Sequence, residues 1–319
     1  MKRRSLLAWM AAATLSPGAA RAQEPGRTYR IGWLTSTPLS DPTTVMVLDE
    51  LKNNGFVLGK NLAVDQHSFS LLPGQMTGVA RQIVDDKVDL ILTAGPVATR
   101  AAQAATSTIP ILAVTDDMVS EGLVGSLANK AGNTTGISML ATELDGKRQE
   151  ILIELLPNSK KMAMLSDSTG TRPAALQTRA RGSGVDVSIL PIAKPDDVKL
   201  ALEQAKADGA VAINILASPF LFAMRQRIFA SAAALGLGTM YQFADGVREG
   251  ALAAYGPGLD ETFRQRGRQA AKLLRGAKPS DMPIEQPTTV KLALNLKLAG
   301  QLGIVIPPVL LQRADELIE

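Results

Sequence analysis

The sequence predicts an α/β protein made of two Rossmann-like lobes, with parallel-rich sheets flanked by helices. Three observations carry this. Short apolar strands alternate with helical segments from Thr28 to Gln242, and the alternation restarts near Glu143. Both halves follow a strand with small residues and a proline, in "DLILTAGPVAT" and "AINILASPFLF". Such βαβ repetition implies parallel strands with helices on both faces. The chain has 319 residues, enough for two domains of ~150 residues each.

The first half reads in order. Tyr29 to Leu34 is a strand, and Val45 to Leu51 begins a helix that Asn54-Gly55 ends. Leu62 to His67 reads as a strand and Gly74 to Asp86 as a helix. Val88 to Leu92 is a buried-type strand, followed by the helix Val97 to Ala105 and the strand Ile109 to Val114. In the second half, Glu143 to Leu156 is an amphipathic helix closed by Pro157, and Lys161 to Leu165 is a strand. Pro173 to Arg181 is a helix ended by Gly182, Val185 to Leu190 a strand, and Asp196 to Ala207 a helix. Ala210 to Leu216 is a buried strand, Phe220 to Leu235 one helix, and Thr239 to Gln242 a short strand.

The first residues have the form of a cleavable export signal. Lys2, Arg3 and Arg4 form a basic start, Ser5 to Leu15 an apolar run, and "AARA" a small-residue cleavage site. Cleavage is expected after Ala22, which makes residues 1–22 a signal peptide and the mature protein periplasmic. Lys2, Arg3, Arg4 and Arg21 leave with it, so 30 basic residues then balance 30 acidic ones. The high pI is a targeting effect, and no nucleic-acid partner is expected. There is no cysteine, hence no disulfide and no thiolate metal site.

Catalytic chemistry has little support. His67 is the only histidine, and neither a Ser-His-Asp arrangement nor a G-x-S-x-G elbow surrounds it. No His/Cys metal spacing and no glycine-rich phosphate loop occurs. No enzyme activity, cofactor or metal is expected. Lys147-Arg148 and the run Arg264 to Arg268 lie on amphipathic helices and read as solvated faces.

A binding cleft has better support, because ligands of open parallel sheets sit outside the carboxyl ends of strands. The candidate loops carry Ser36 and Thr37, Gly95, Pro96 and Val97, Asp167 and Ser168, and Ser218, Pro219 and Phe220. Their hydroxyls, with amides at helix N-termini, suit a ligand carboxylate. Thr115 follows the strand Ile109 to Val114 beside Asp116, and Asp116, Asp167 and Asp245 could hold an amine. Tyr241, Tyr255, Phe220 and Trp33 could form apolar walls.

From Arg30 onward the chain resembles the periplasmic substrate-binding proteins of ABC transporters, the family that includes binders of tryptophan and other aromatic amino acids. The carrying segments are "VDLILTAGPVATRAAQAATSTIPI", "EGLVGSLANKAGNTTGIS", "KRQEILIELLP", "AYGPGLDETFRQRGRQAAKLLRGAKPSDMPIEQPT" and "LALNLKLAGQLGIVIPPVLLQRADELIE". The resemblance implies a type I periplasmic binding protein fold with hinge crossovers. One lobe would hold residues 28–140 and 252–280, the other 141–251 and 281–319. It implies a monomer that captures a small solute, such as an amino acid or another carboxylate. The solute would pass to a membrane permease driven by an ATPase. The family's Asp-Pro-Phe after a second-lobe strand stands here as Ser218-Pro219-Phe220, one carboxylate fewer. A sensor presenting its bound form to a membrane receptor, or less readily a hydrolase using the cleft, are the alternative readings.

Overall fold

The computed structural model describes residues 26–128, 131–167 and 173–319. The expected signal, residues 1–22, and Ser168 lie outside the described residues. Five strands form the first sheet: Tyr29–Leu34 (β1), Leu62–Val64 (β2), Leu90–Ala94 (β3), Ile111–Thr115 (β4) and Thr134–Ser138 (β5). They lie in the order β2-β1-β3-β4-β5, all parallel. The second sheet holds Lys161–Asp167 (β6), Asp186–Ile192 (β7), Ala212–Ile215 (β8), Gly238–Tyr241 (β9), Ala253–Gly256 (β10), Lys291–Asn295 (β11) and Glu316–Ile318 (β12). Its order is β12-β11-β10-β9-β8-β6-β7, and β10 against β11 is the antiparallel pair. The expected parallel-rich, two-lobed α/β architecture is what forms.

Apolar strands are buried on both faces, as parallel sheets require. In the first lobe Ile31, Trp33, Leu92 and Leu112 pack with Val47, Leu51 and Ala270 on one face. Leu34, Ile91 and Ile111 pack with Ile83, Ala98 and Ala102 on the other. The second sheet has two equivalent layers, one around Ile213, Ile215 and Phe229, the other around Met162, Met164 and Leu294. Each buried large aliphatic side chain contributes about 1.5–3 kcal/mol, so the lobes have substantial separate cores.

The chain passes between the sheets three times, at 139–140, 257–258 and 286–290. The expected lobe boundaries differ from the pairing at two places. Residues 252–280 were assigned to the first lobe, but β10 pairs with β9 and β11 in the second sheet. From Leu259 onward the segment does belong to the first lobe, with the helix Leu259–Leu274 against the helix Pro42–Asn53 and Pro279–Asp281 beside β5. Residues 281–285 were assigned to the second lobe, yet Glu285 bridges Ile137 at the first sheet's edge. Backbone hydrogen bonds decide membership here, and composition does not encode them.

Other differences have local causes. The strand from Leu62 stops at Val64 because Asp65 accepts from the His67 amide at 2.8 Å and turns the chain. His67 is exposed on that turn. The single helix expected over Phe220–Leu235 is two, Pro219–Ala223 and Arg225–Ala234, broken at Met224. At the break the Arg225 side chain donates to the Phe222 carbonyl at 3.1 Å, replacing a helix bond.

Candidate functional site

The carboxyl ends of β1, β3 and β4 face those of β8 and β9 across a cleft lined by both lobes. The first lobe contributes Trp33, Thr35, Thr37, Thr43, Thr44, Thr115, Asp116, Phe263 and Arg266. The second contributes Ser218, Pro219, Phe222, Gln242 and Phe243, with Met139 at the first crossover. The space is largely apolar-walled. Phe222 and Phe243 meet edge to face with centroids 5.6 Å apart.

Arg266 is the dominant polar group. Its residue is 1% exposed, and its Nη2 donates to the Thr93 carbonyl at 2.8 Å. The guanidinium lies over the Trp33 ring, 5.3 Å from the centroid. Among the described residues no carboxylate pairs with it, and its Nε has no hydrogen-bond partner. Burial alone pushes its guanidinium down to about 9. A buried cation without a counter-charge is costly, so an anion entering the cleft would be strongly favoured. The hydroxyls of Thr44 and Thr115, also on the lining, are buried and unpartnered as well. Three residues lining one cavity thus each carry a buried, unpartnered polar atom, where native interiors leave few.

Asp116 supplies the opposite charge. Burial, then the nearby carboxylates of Glu121, Asp145 and Asp167, hold it well above the usual carboxylate range. Arg148 offsets this only in part, because it donates to Asp145 at 2.7 Å and to the Tyr255 carbonyl at 2.9 Å. Its neighbour Asp117 is turned outward and caps the amides of Val119 and Ser120. The pair therefore splits just beyond the end of β4, with Asp116 on the cleft lining and Asp117 in a local cap.

The expected site residues divide into three groups. Thr37, Thr115, Asp116, Ser218 and Pro219 line the cleft. Ser36, Gly95, Pro96, Val97, Asp167 and Phe220 line a smaller adjoining pocket on the same seam. Tyr241, Asp245 and Tyr255 do not line either one. Tyr241 is fully buried against Phe229 and Phe243. Asp245 accepts from the Leu259 amide at 2.8 Å, holding the start of a first-lobe helix. Tyr255 packs in the second-lobe core.

The expected hydroxyl cradle is also corrected. Ser36 donates to the Leu71 carbonyl at 2.8 Å, and Thr37 pairs with Thr35 at 2.8 Å. Ser218 donates to Asp167 at 2.5 Å while accepting from the amides of Phe220 and Leu221. The Ser36 and Ser218 protons are committed within the protein, whereas the Thr35–Thr37 contact uses one of that pair's two hydroxyl protons. Asp167 thereby brings a carboxylate to the strand end where the sequence has Ser218.

Sequence reasoning missed Arg266, Phe222, Phe243 and Phe263, and read Arg266 and Arg148 as solvated. Arg266 and Arg148 are each 1% exposed. A signal existed for Arg266. It lies three residues before Gln269 and four before Ala270 on the helix Leu259–Leu274 and shares their buried stripe.

The lobes touch directly. A Cβ at Gly95, where φ is +80°, would lie 2.7 Å from Pro219 Cγ on the other lobe. Gly95→Ala should therefore obstruct closure as well as strain the backbone. We expect ~10-fold or more weaker solute binding with about 1–2 kcal/mol lower stability. Titration calorimetry with denaturation would check this, and unchanged affinity would refute it.

Two lobes, three crossovers and a cleft between the strand ends define a two-lobed solute-binding protein. The profile of the ABC transporter substrate-binding protein family matches residues 35–318. The chain belongs to that family, and its role is solute capture for an ABC transporter. It is 26% identical over 273 residues to the tyrosine-binding protein of Clostridioides difficile strain R20291, covering 83% of this chain and 77% of that one. A conserved domain protein from Vibrio cholerae superposes with a TM-score of 0.78 at 26% identity, covering 91% and 99% of the two chains. The ABC domain from Streptococcus pneumonia, crystallised with L-Trp, gives 0.74 at 19% identity, covering 91% and 100%.

Proposed function

We propose that the solute is an α-amino acid with an apolar or aromatic side chain. The observation that carries this is Arg266, a buried cation lining the cleft that among the described residues has no carboxylate partner and no partner at Nε. Its fork would take the solute carboxylate. Asp116 would take the ammonium, and Trp33, Phe222, Phe243 and Phe263 would hold the side chain. The relatives support the class: one is called a tyrosine-binding protein and another was crystallised with L-Trp. The protein would act as a monomer in the periplasm, after cleavage behind Ala22. It would deliver its solute to a permease and carry out no catalysis of its own.

Trp33 is the sole tryptophan after residue 22, and it lies beside Arg266 in the cleft wall. Its fluorescence should change on binding. Screening L-tyrosine, L-tryptophan, L-leucine and neutral sugars by fluorescence and thermal shift tests the reading. A solute at ~100 times its Kd adds ~2.7 kcal/mol. A melting shift with sugars and none with amino acids would overturn it.

The role of Asp116 predicts a pH dependence. Free, its carboxyl is held high, so it keeps a proton further up the pH scale than an ordinary carboxylate. A bound ammonium favours the ionised form and lowers that pKa. Binding thus releases a proton at pH values between the bound-state and free-state pKa. Affinity should weaken as pH falls through that interval, and calorimetry in buffers of different ionisation enthalpy should detect the proton. Asp116→Asn should remove the dependence. Persistence of the dependence in that variant would refute the assignment.

A further inference from the structure

We propose that Arg225 and Asp41 form a closure latch that sets how long the solute stays bound. The latch senses the solute's apolar end through Phe222. This rests on the amino-acid reading above only for the choice of probe.

The Nη1 of Arg225 donates to Asp41 Oδ2 at 3.1 Å, and its Nε donates to Glu249 Oε2 at 2.6 Å. The Arg225 and Asp41 side chains are 4% and 7% exposed. Asp41 precedes a first-lobe helix, whereas Arg225 and Glu249 belong to the second lobe. None of the three lies at a crossover. Rotation about the crossovers must therefore separate Asp41 from Arg225, while the Arg225–Glu249 pair can persist.

Each partner is also tied to a cleft wall. Asp41 Oδ1 accepts from the Thr43 amide at 2.9 Å and from the Thr43 hydroxyl at 2.6 Å. Thr43 and Thr44 line the cleft. On the other side the Arg225 guanidinium covers the Phe222 ring, 4.3 Å from its centroid. Phe222 faces the solute space. A solute that seats Phe222 correctly also seats the guanidinium toward Asp41. One that displaces the ring tilts the guanidinium away.

A ligand drives closure only through contacts stronger in the closed state. The Arg225–Asp41 pair is such a contact made by the protein itself. Breaking it leaves a charge beside Glu249 and a carboxylate on the open rim. Losses of this type in buried charge pairs act mainly on dissociation. Arginine suits the role because it can bond two carboxylates and stack on a ring at once.

The test uses the whole mature protein with spin labels at Lys60→Cys and Lys206→Cys, exposed positions on opposite lobes. The chain has no native cysteine. The key variant is Asp41→Asn, which keeps an oxygen to cap Thr43 and loses the charge. L-tyrosine and L-tryptophan are the probes, with release followed by stopped-flow Trp33 fluorescence. Asp41→Asn should release solute ~10–100 times faster with an association rate within ~3-fold. It should also shift the interlobe distances longer, with and without probe. Arg225→Lys should fall between it and the native protein. Arg227→Gln, which disturbs only an exposed pair with Asp196, should match the native protein. Native release and native distances in Asp41→Asn would overturn the latch. If neither probe binds the native protein, the aromatic form of the amino-acid reading fails. The distances without probe then decide the latch alone, and an unchanged distribution overturns it.

Discussion

Arg266→Met is expected to weaken amino-acid binding severely while leaving the ligand-free protein as stable as before, or more so. Binding would lose the carboxylate's charge-assisted partner and leave that carboxylate desolvated. Truncating one side of a buried charged contact costs about 2–5 kcal/mol, a Kd increase of ~30-fold to several thousand-fold. Stability should move the other way. The cation is buried with no counter-charge among the described residues, and methionine fills similar volume with no charge to desolvate. Replacements of buried ionic groups by apolar ones often gain about 1–4 kcal/mol. Part of that gain is offset by the lost bond to Thr93 and the lost stacking on Trp33. Arg266→Lys should bind weakly, since a point charge replaces a planar fork. Calorimetry and thermal melting on one preparation separate the two effects. A structural arginine would show destabilisation with affinity kept, and that result would sink the assignment.

Gly136→Ala should be the most damaging single methyl in the first lobe. Gly136 has φ +152°, and a Cβ there would sit 1.9 Å from the Ala113 carbonyl oxygen. It would also lie 2.7 Å from the Ala113 carbonyl carbon and 2.9 Å from its nitrogen. These are backbone atoms of the neighbouring strand, paired in register with Gly136. Relief requires β5 to move off β4. That would also strain the bond from the Glu285 amide to the Gly136 carbonyl. We expect a loss above about 4 kcal/mol, in the range reserved for named steric failures. Urea denaturation followed by Trp33 fluorescence reports the first lobe. A loss below about 1 kcal/mol, inside the ordinary range for point mutants, would refute the packing argument.

Most of the fold was legible because its strands are continuous apolar runs separated by helix caps. Tyr29–Leu34 matches its expected range, and Pro173–Gly182 and Asp197–Ala207 match to within one residue. Thr134–Ser138 went unread because "TTGIS" has one large apolar residue and a central glycine. It is a strand because β4 and Glu285 supply partners on both edges. The break at Met224 was invisible because helix period runs straight through it, and Arg225 is drawn out by Asp41, 184 positions away.

The site was legible as an address more than as a chemistry. Loops at strand carboxyl ends were expected to meet, and Thr37, Thr115, Asp116, Ser218 and Pro219 lie at one cleft. Tyr241, Asp245 and Tyr255 shared the right strand ends, but their side chains turn to the core or to a crossover. Strand order and hydrophobic patterning are local, so the sequence by itself determined two α/β lobes and the ends where a ligand would sit. Burial of a charge depends on what a distant helix packs against. Only the tertiary structure therefore decided that Arg266 lines the cleft with no counter-charge among the described residues, and that Arg225 reaches across the lobes to Asp41.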